Sequence, residues 1–220
     1  MQIYHHFLCP FSKQIAILMS ELDIAHIKIE HQFWKPNPEF DSLSMWGERP
    51  VMIVEDTVIV GTYPCFEYIL AETDNKYLLS SDLITLTRIR QVANWFNKHF
   101  YEQVSAHIIH EKLVKIFSTR EYIDTSIMRL AHKNLHEHML KMSAIIDMQG
   151  YLAQDDLSYA DLVAASHLAV IDYFGDINWS LYPKVKEWYC LIKSRPIFRS
   201  NLEGKITGID PSKNYLKLDF

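Results

Sequence analysis

Gln2-Ile3-Tyr4-His5-His6 runs into Leu8-Cys9-Pro10-Phe11-Ser12, after which Ile15, Leu18, Met19 and Leu22 recur at helical spacing. The pattern is strand, turn, helix. Proline suits a first helical turn, where its missing N–H would have had no intrahelical partner, so the helix is predicted to begin at Cys9 or Pro10. That places a thiol where backbone amides and the helix dipole favour a thiolate. A second cysteine three residues on, as in Cys-X-X-Cys, would supply a resolving thiol. Ser12 stands there instead and can at most donate a hydrogen bond to the sulfur, which excludes redox cycling through an internal disulfide at this turn. The plain alternative is that Cys9 is a small core residue, the commoner fate of a lone cysteine.

Downstream, Ile27 and Ile29 alternate within Ala25 to Glu30, and Trp34-Lys35-Pro36-Asn37-Pro38 reads as a proline-broken loop. Two apolar runs after Arg49-Pro50, Val51 to Val54 and Thr57 to Val60, flank Glu55-Asp56 as a hairpin. Tyr63 to Thr73 is then helical, opened by Thr62. From Asp82 the β signal stops. Helical periods cover Leu83 to about Phe117, Glu121 to about Met148, Ser158 to Phe174 and Tyr182 to Ser194. Ser158-Tyr159-Ala160-Asp161 has the form of a capping box and should open a buried, central helix. Polar residues Asp74-Asn75-Lys76 and Ser80-Ser81 mark the boundary. The division expected is 1–76, 82–200 and a C-terminal extension 201–220.

With 220 residues, 49% hydrophobic and 22% charged, the chain can bury a substantial core and is neither disordered nor collagen-like. A net charge of −5 argues against a partner bound through its phosphates. Cys9, Cys65 and Cys190 are too few and too odd in number for a disulfide framework, which points to a reducing compartment. The start lacks a basic, apolar leader and no stretch has the ~18 apolar residues of a membrane span, so a cytoplasmic protein is expected.

The β-α-β-loop-β-β-α order, Arg49-Pro50 and the Gly61-Thr62 turn resemble the thioredoxin-like domain of glutathione transferases, and the helical half resembles their second domain. That resemblance implies an α/β plus all-α fold and glutathione as co-substrate. It places Cys9 at the mixed-disulfide position of the cysteine-type classes, with Ser12 beside it. Phe11, Arg49, Pro50, Gly61 and Thr62 then fall in the glutathione site. Pro50 occupies the position of the family's cis proline, and the backbone of Arg49 that of the residue pairing with the cysteinyl unit. The family's Glu/Gln-Ser pair falls on Gly61-Thr62, so a hydroxyl is kept and a carboxylate or amide is missing; weak glutathione binding follows. A homodimer is implied as well.

A narrower resemblance lies in Asn94-Trp95-Phe96-Asn97-Lys98-His99-Phe100-Tyr101, in Trp188-Tyr189 with Ile192-Lys193-Ser194-Arg195-Pro196, and in the ending Asn214-Tyr215-Leu216-Lys217-Leu218-Asp219-Phe220. These look like the bacterial glutathione-transferase-like division proteins that bind FtsZ, and imply FtsZ and other division proteins as partners. Tyr215, Leu218 and Phe220 are apolar anchors among Lys213, Lys217 and Asp219, and the tail from about Pro211 is expected to bind a partner rather than complete the core.

Three other signals have plainer accounts. His132 and His136, with His138 near, have metal-ligand spacing, but no acidic or Cys ligand is placed by sequence to complete a site; none is expected. His5-His6 could tune Cys9 or merely end a strand. Trp95, Phe96, Phe100 and Tyr101 could line an acceptor pocket, although such a stripe is more often core, and Cys65 and Cys190 are expected to be buried.

Overall fold

The computed structural model describes residues 1–74 and 77–218. Four short strands form one sheet in the order β2-β1-β3-β4, with β1 Gln2–His5, β2 Ile27–Glu30, β3 Val51–Val54 and β4 Thr57–Val60. β1 pairs parallel with β2 and antiparallel with β3, and β3 with β4 makes the expected hairpin. The parallel pair needs a crossover, which α1 (Pro10–Glu21) supplies. Cys9 is its N-cap in extended conformation and Pro10 its first residue. One expectation fails in the linker: Pro38 starts a short helix, α2 (Pro38–Leu43), because the side chain of Asn37 accepts the Phe40 N–H at 3.1 Å and caps it. The sequence Pro36-Asn37-Pro38 breaks the chain and restarts it. α3 (Thr62–Ala71) follows Gly61.

All remaining elements are helical. α4 (Leu83–Trp95) is capped by Asp82, whose carboxylate accepts the Thr85 N–H at 2.8 Å. The helix continues without a break as π-helix over Phe96–Ser105, α-helix α5 over Ala106–Ile109, and π-helix again over His110–Thr119. α6 (Thr125–Gln149), α7 (Tyr159–Phe174), α8 (Pro183–Lys193) and α9 (Pro196–Ser200) complete the fold. Asn75 and Lys76, at the expected boundary, lie outside the described residues.

The central helix is α7, buried along all but its last residue and packed against α1. Its cap is the one read from the sequence. The Asp161 carboxylate accepts the Ser158 N–H at 2.9 Å and hydroxyl at 2.7 Å, the Leu152 N–H at 2.9 Å and the Trp188 indole N–H at 3.0 Å. Burial pushes its pKa up while these four donors pull it back. On the other flank Arg195 grips Glu21 of α1 with two bonds, 3.0 and 2.6 Å, tying the end of α8 to the sheet-bearing half.

The C-terminal segment does not stand off as the sequence suggested. Asn201, Leu202 and Ile206 are buried, and Gly204, at φ +154°, has its α-carbon so close to the Phe7 ring that a side chain there would collide with it. Tyr215, expected as an exposed anchor, is fully buried: its ring meets Tyr173 edge-on at 5.0 Å and lies 5.9 Å from the Lys193 ammonium. Lys193 in turn donates to the Asn214 carbonyl at 2.7 Å. The Tyr215 ring thus fills a core position. Leu218 is half-buried, and Phe220 lies outside the described residues.

Candidate functional site

An open cleft of about 740 Å³ separates the sheet-bearing half from α4. Phe11, Arg49 and Thr62 line it, together with Glu48, Tyr63, Arg90, Asn97, Tyr101 and Tyr159. The Arg49-Pro50 peptide is cis, as the resemblance implied. Pro50 is buried beneath the wall, and its carbonyl accepts the Gly61 N–H at 2.9 Å. The Thr62 hydroxyl points at the Arg49 carbonyl, 3.5 Å away.

Cys9 and Ser12 do not line the cleft. Of the two readings of Cys9, the structure gives the buried one: it is only 3% exposed. The Ser12 hydroxyl is used by backbone rather than by sulfur: it accepts the His6 N–H at 3.3 Å and donates to the Cys9 carbonyl at 3.5 Å. Helix geometry explains this, since residue i+3 folds back over the cap it follows. His5 and His6 are both pushed down to about 3, chiefly by burial, and are neutral near pH 7. They bring no positive charge to the thiol. Lys13, one turn beyond Cys9, is fully buried and pushed down to about 7 by that burial. Cys65 is buried as expected, its thiol pushed up to about 12, whereas Cys190 is partly exposed.

Glu48 is the residue the sequence reading missed. Gly61, at φ +95°, carries no side chain, and the Glu48 carboxylate reaches into the space beside it: its Oε1 lies 3.3 Å from where a Cβ on Gly61 would stand. A carboxylate therefore stands beside Gly61 although position 61 itself carries none. The available signal was that Glu48 immediately precedes Arg49-Pro50 on the same loop.

A polar network holds the cleft floor. Gln14 of α1 exchanges two bonds with Asn97, 2.8 and 3.1 Å, and accepts the Tyr159 hydroxyl at 3.0 Å. Asn97 Oδ1 also faces His167 Nε2 at 3.2 Å, and His167 Nδ1 meets the Ser105 hydroxyl at 3.1 Å. Burial pushes His167 down to about 3, so it is neutral: Nε2–H donates to Asn97 and Nδ1 accepts from Ser105. The aromatic stripe divides accordingly. Phe96 and Phe100 are core, Trp95 is half-buried with its N–H on His138, and Tyr101 faces the cleft, its ring 4.5 Å from that of Phe11.

The histidines of α6 are each otherwise engaged. His132 pairs with Asp176 at 2.9 Å, an acidic neighbour the sequence did not reveal, and Lys112 claims the same carboxylate at 2.8 Å. His136 bonds the Tyr182 hydroxyl at 2.7 Å. Among the described residues no group of three His, Cys, Asp or Glu could hold a metal ion, and no helix is long and apolar enough to cross a membrane.

A four-stranded thioredoxin-like sheet facing a helical half across such a cleft defines the glutathione-transferase fold. Residues 107–203 match the family described as "Glutathione S-transferase, C-terminal domain". FtsZ-localized protein A of Caulobacter vibrioides (strain NA1000 / CB15N) is 32% identical over 221 residues, which are 98% of this chain and 97% of that protein. A crystal structure of a glutathione S-transferase from Rhodospirillum rubrum F11 superposes with a TM-score of 0.94 at 33% identity, covering 100% of this chain and 99% of the other. The structure of FzlA from C. crescentus gives 0.93 at 31% identity, with the same coverage. The chain belongs to the glutathione S-transferase superfamily, in the group that includes FtsZ-localized protein A.

Proposed function

We propose that this protein is a cytoplasmic division scaffold that binds FtsZ and uses the glutathione-transferase fold as its frame. The full-length similarity to FtsZ-localized protein A carries this reading. The withdrawal of Cys9 from the cleft favours it over chemistry at the thiol. The scaffold acts as a homodimer. Large apolar side chains left in solvent support this: Met45, Trp46 (82% exposed) and Tyr63 on the sheet-bearing half, and Leu83 and Ile84 at the start of the helical half. Leu216 and Leu218 remain as partner-facing residues of the tail, with Tyr215 as the buried post that holds them.

Glutathione binding in the cleft is a second reading, and the Glu48 carboxylate favours it. Glutathione would lie along Arg49 and Thr62 with its γ-glutamyl ammonium at Glu48. Thiol transfer through Cys9 would further require that the sulfur come out of the core to form a mixed disulfide.

Co-sedimentation with polymerised FtsZ and light scattering on the same preparation test the first reading. A dimer that pellets with filaments and stays soluble without them is expected. A protein that remains in the supernatant at concentrations well above those of the filaments would refute it. Calorimetry with glutathione decides the second reading separately.

A further inference from the structure

The sheet ends on one side at β2, whose outer edge carries no neighbouring strand among the described residues. The N–H groups of Ile27 and His31 reach the Met1 and His5 carbonyls at 3.0 and 2.9 Å, which turns these residues, and Ile29 between them, toward β1. Backbone groups alternate along a strand, so the N–H and C=O of Lys28 and Glu30 point away from the sheet. They meet no partner among the described residues, and both residues are exposed. Such an edge is a template for another strand.

The side chains say which strand fits. Lys28 makes no ion pair among the described residues; its Nζ donates to the neutral amide oxygen of Asn201 at 2.6 Å. Glu30, its side chain 63% exposed, has His6 at 3.5 Å, and burial pushes that imidazole down to about 3, which leaves it uncharged. Each charge thus lacks a counter-charge among the described residues, and the two share one face of the strand. Ile27 and Ile29 hold the other face, with Ile27 62% exposed. An antiparallel strand of the same sequence completes both faces at once. With Lys28 opposite Glu30 of the second copy, each such pair exchanges its outward N–H and C=O bonds, the opposite charges become cross-strand neighbours, and Ile29 meets its own copy on the axis. Registers that set Lys28 opposite Lys28, or Glu30 opposite Glu30, bring like charges together and are disfavoured. We propose that a second copy of this chain docks on the open edge of β2, the two strands pairing antiparallel about Ile29. This edge is the opposite one from β4, which leads into α3 and Tyr63 of the proposed dimer face, so either interface can fail without the other.

Sedimentation velocity on the full chain in low salt, from about 10 µM to about 0.5 mM, tests this. The strip is short, so the step is weak and should appear above about 100 µM as a doubling of whichever mass, monomer or dimer, is present at low concentration. Glu30→Lys and Lys28→Glu each turn both cross-strand pairs into like charges and should weaken the step at least about fivefold, and the double variant, which exchanges the charges, should restore it. Lys28→Pro removes an outward N–H without touching a bond to β1, and should abolish the step at little change in melting temperature. If that variant fails to fold, the charge variants decide. Doubling from monomers that follows these charges supports the edge and counts against the dimer face. No doubling by about 0.5 mM would overturn the proposal and leave the edge to a strand of some other protein. Equal association in Glu30→Lys, or a double variant no stronger than the single ones, would overturn it as well.

Discussion

Replacing Tyr215 separates a tail that is core from one that is only a partner's anchor. The ring is fully buried against Tyr173, beside the Lys193 ammonium, and the chain leading to it is held by Ser212 N–H on the Tyr173 carbonyl at 2.8 Å. Truncating a buried aromatic residue to alanine costs about 3 to 5 kcal/mol, transfer and cavity together. In a chain of this size each kcal/mol shifts the melting temperature by about 2 to 4 °C, so Tyr215→Ala should lower it by roughly 6 to 20 °C. The hydroxyl behaves differently. It is buried with no hydrogen-bond partner among the described residues, and burial, with Asp172 and Tyr173 near, pushes its pKa well up. Tyr215→Phe removes that unpaired group and should be neutral or stabilising by up to about 1 kcal/mol. Differential scanning calorimetry on the two variants, with deletion of residues 213–220 alongside, measures both effects. Alanine melting within about 2 °C of wild type would undock the tail and refute the reasoning, since it would imply a loss under ~1 kcal/mol. A loss of more than about 2 kcal/mol in Tyr215→Phe would show that the hydroxyl is bonded after all.

Alkylation near neutral pH should label Cys190 first, because it is the partly exposed thiol while Cys9 and Cys65 are buried; mass-resolved kinetics showing Cys9 fastest would reopen catalysis at that residue. Glu48→Ala should weaken any glutathione binding by about 10- to 100-fold, the worth of one charge-assisted bond, as read by calorimetry, and an unchanged affinity would remove Glu48 from the site. Lys13 titrates near 7 in the fold against 10.5 when free, so between those values the unfolded chain binds the extra proton and stability gained through this group rises with pH. Denaturation of wild type and Lys13→Met from pH 7 to 10 should give a steeper rise for wild type, and parallel curves would mean that Lys13 keeps an ordinary pKa.

Local periodicity was enough to find α1, α4, α6, α7 and α8, and where a start signal was read with it, at Pro10 and at Ser158 with Asp161, the helix begins there; α6 begins four residues later than Glu121, at the Asp124 cap. The π-helical stretches were not visible. Phe96, Phe100 and Tyr101 read equally well on an α-helical face, and the first π-helical stretch packs against α6 and α7, neighbours that local sequence does not name. What the pattern could not carry was depth. An N-cap position says that amides point at Cys9, but not that surrounding structure closes over the sulfur. Gly61 reads as a lost carboxylate because sequence compares residues position by position, while the cleft compares them in space, where Glu48 arrives from the loop on the other side of the β3–β4 hairpin. Tyr215 misleads for the opposite reason. Lysines on both sides make it look solvated, yet Lys193 and Tyr173 had already formed the socket that receives it, 22 and 42 residues earlier in the chain. A tail anchored this way presents Leu216 and half-buried Leu218 from a fixed post, so a partner that grips them meets a surface whose ordering has already been supplied by folding.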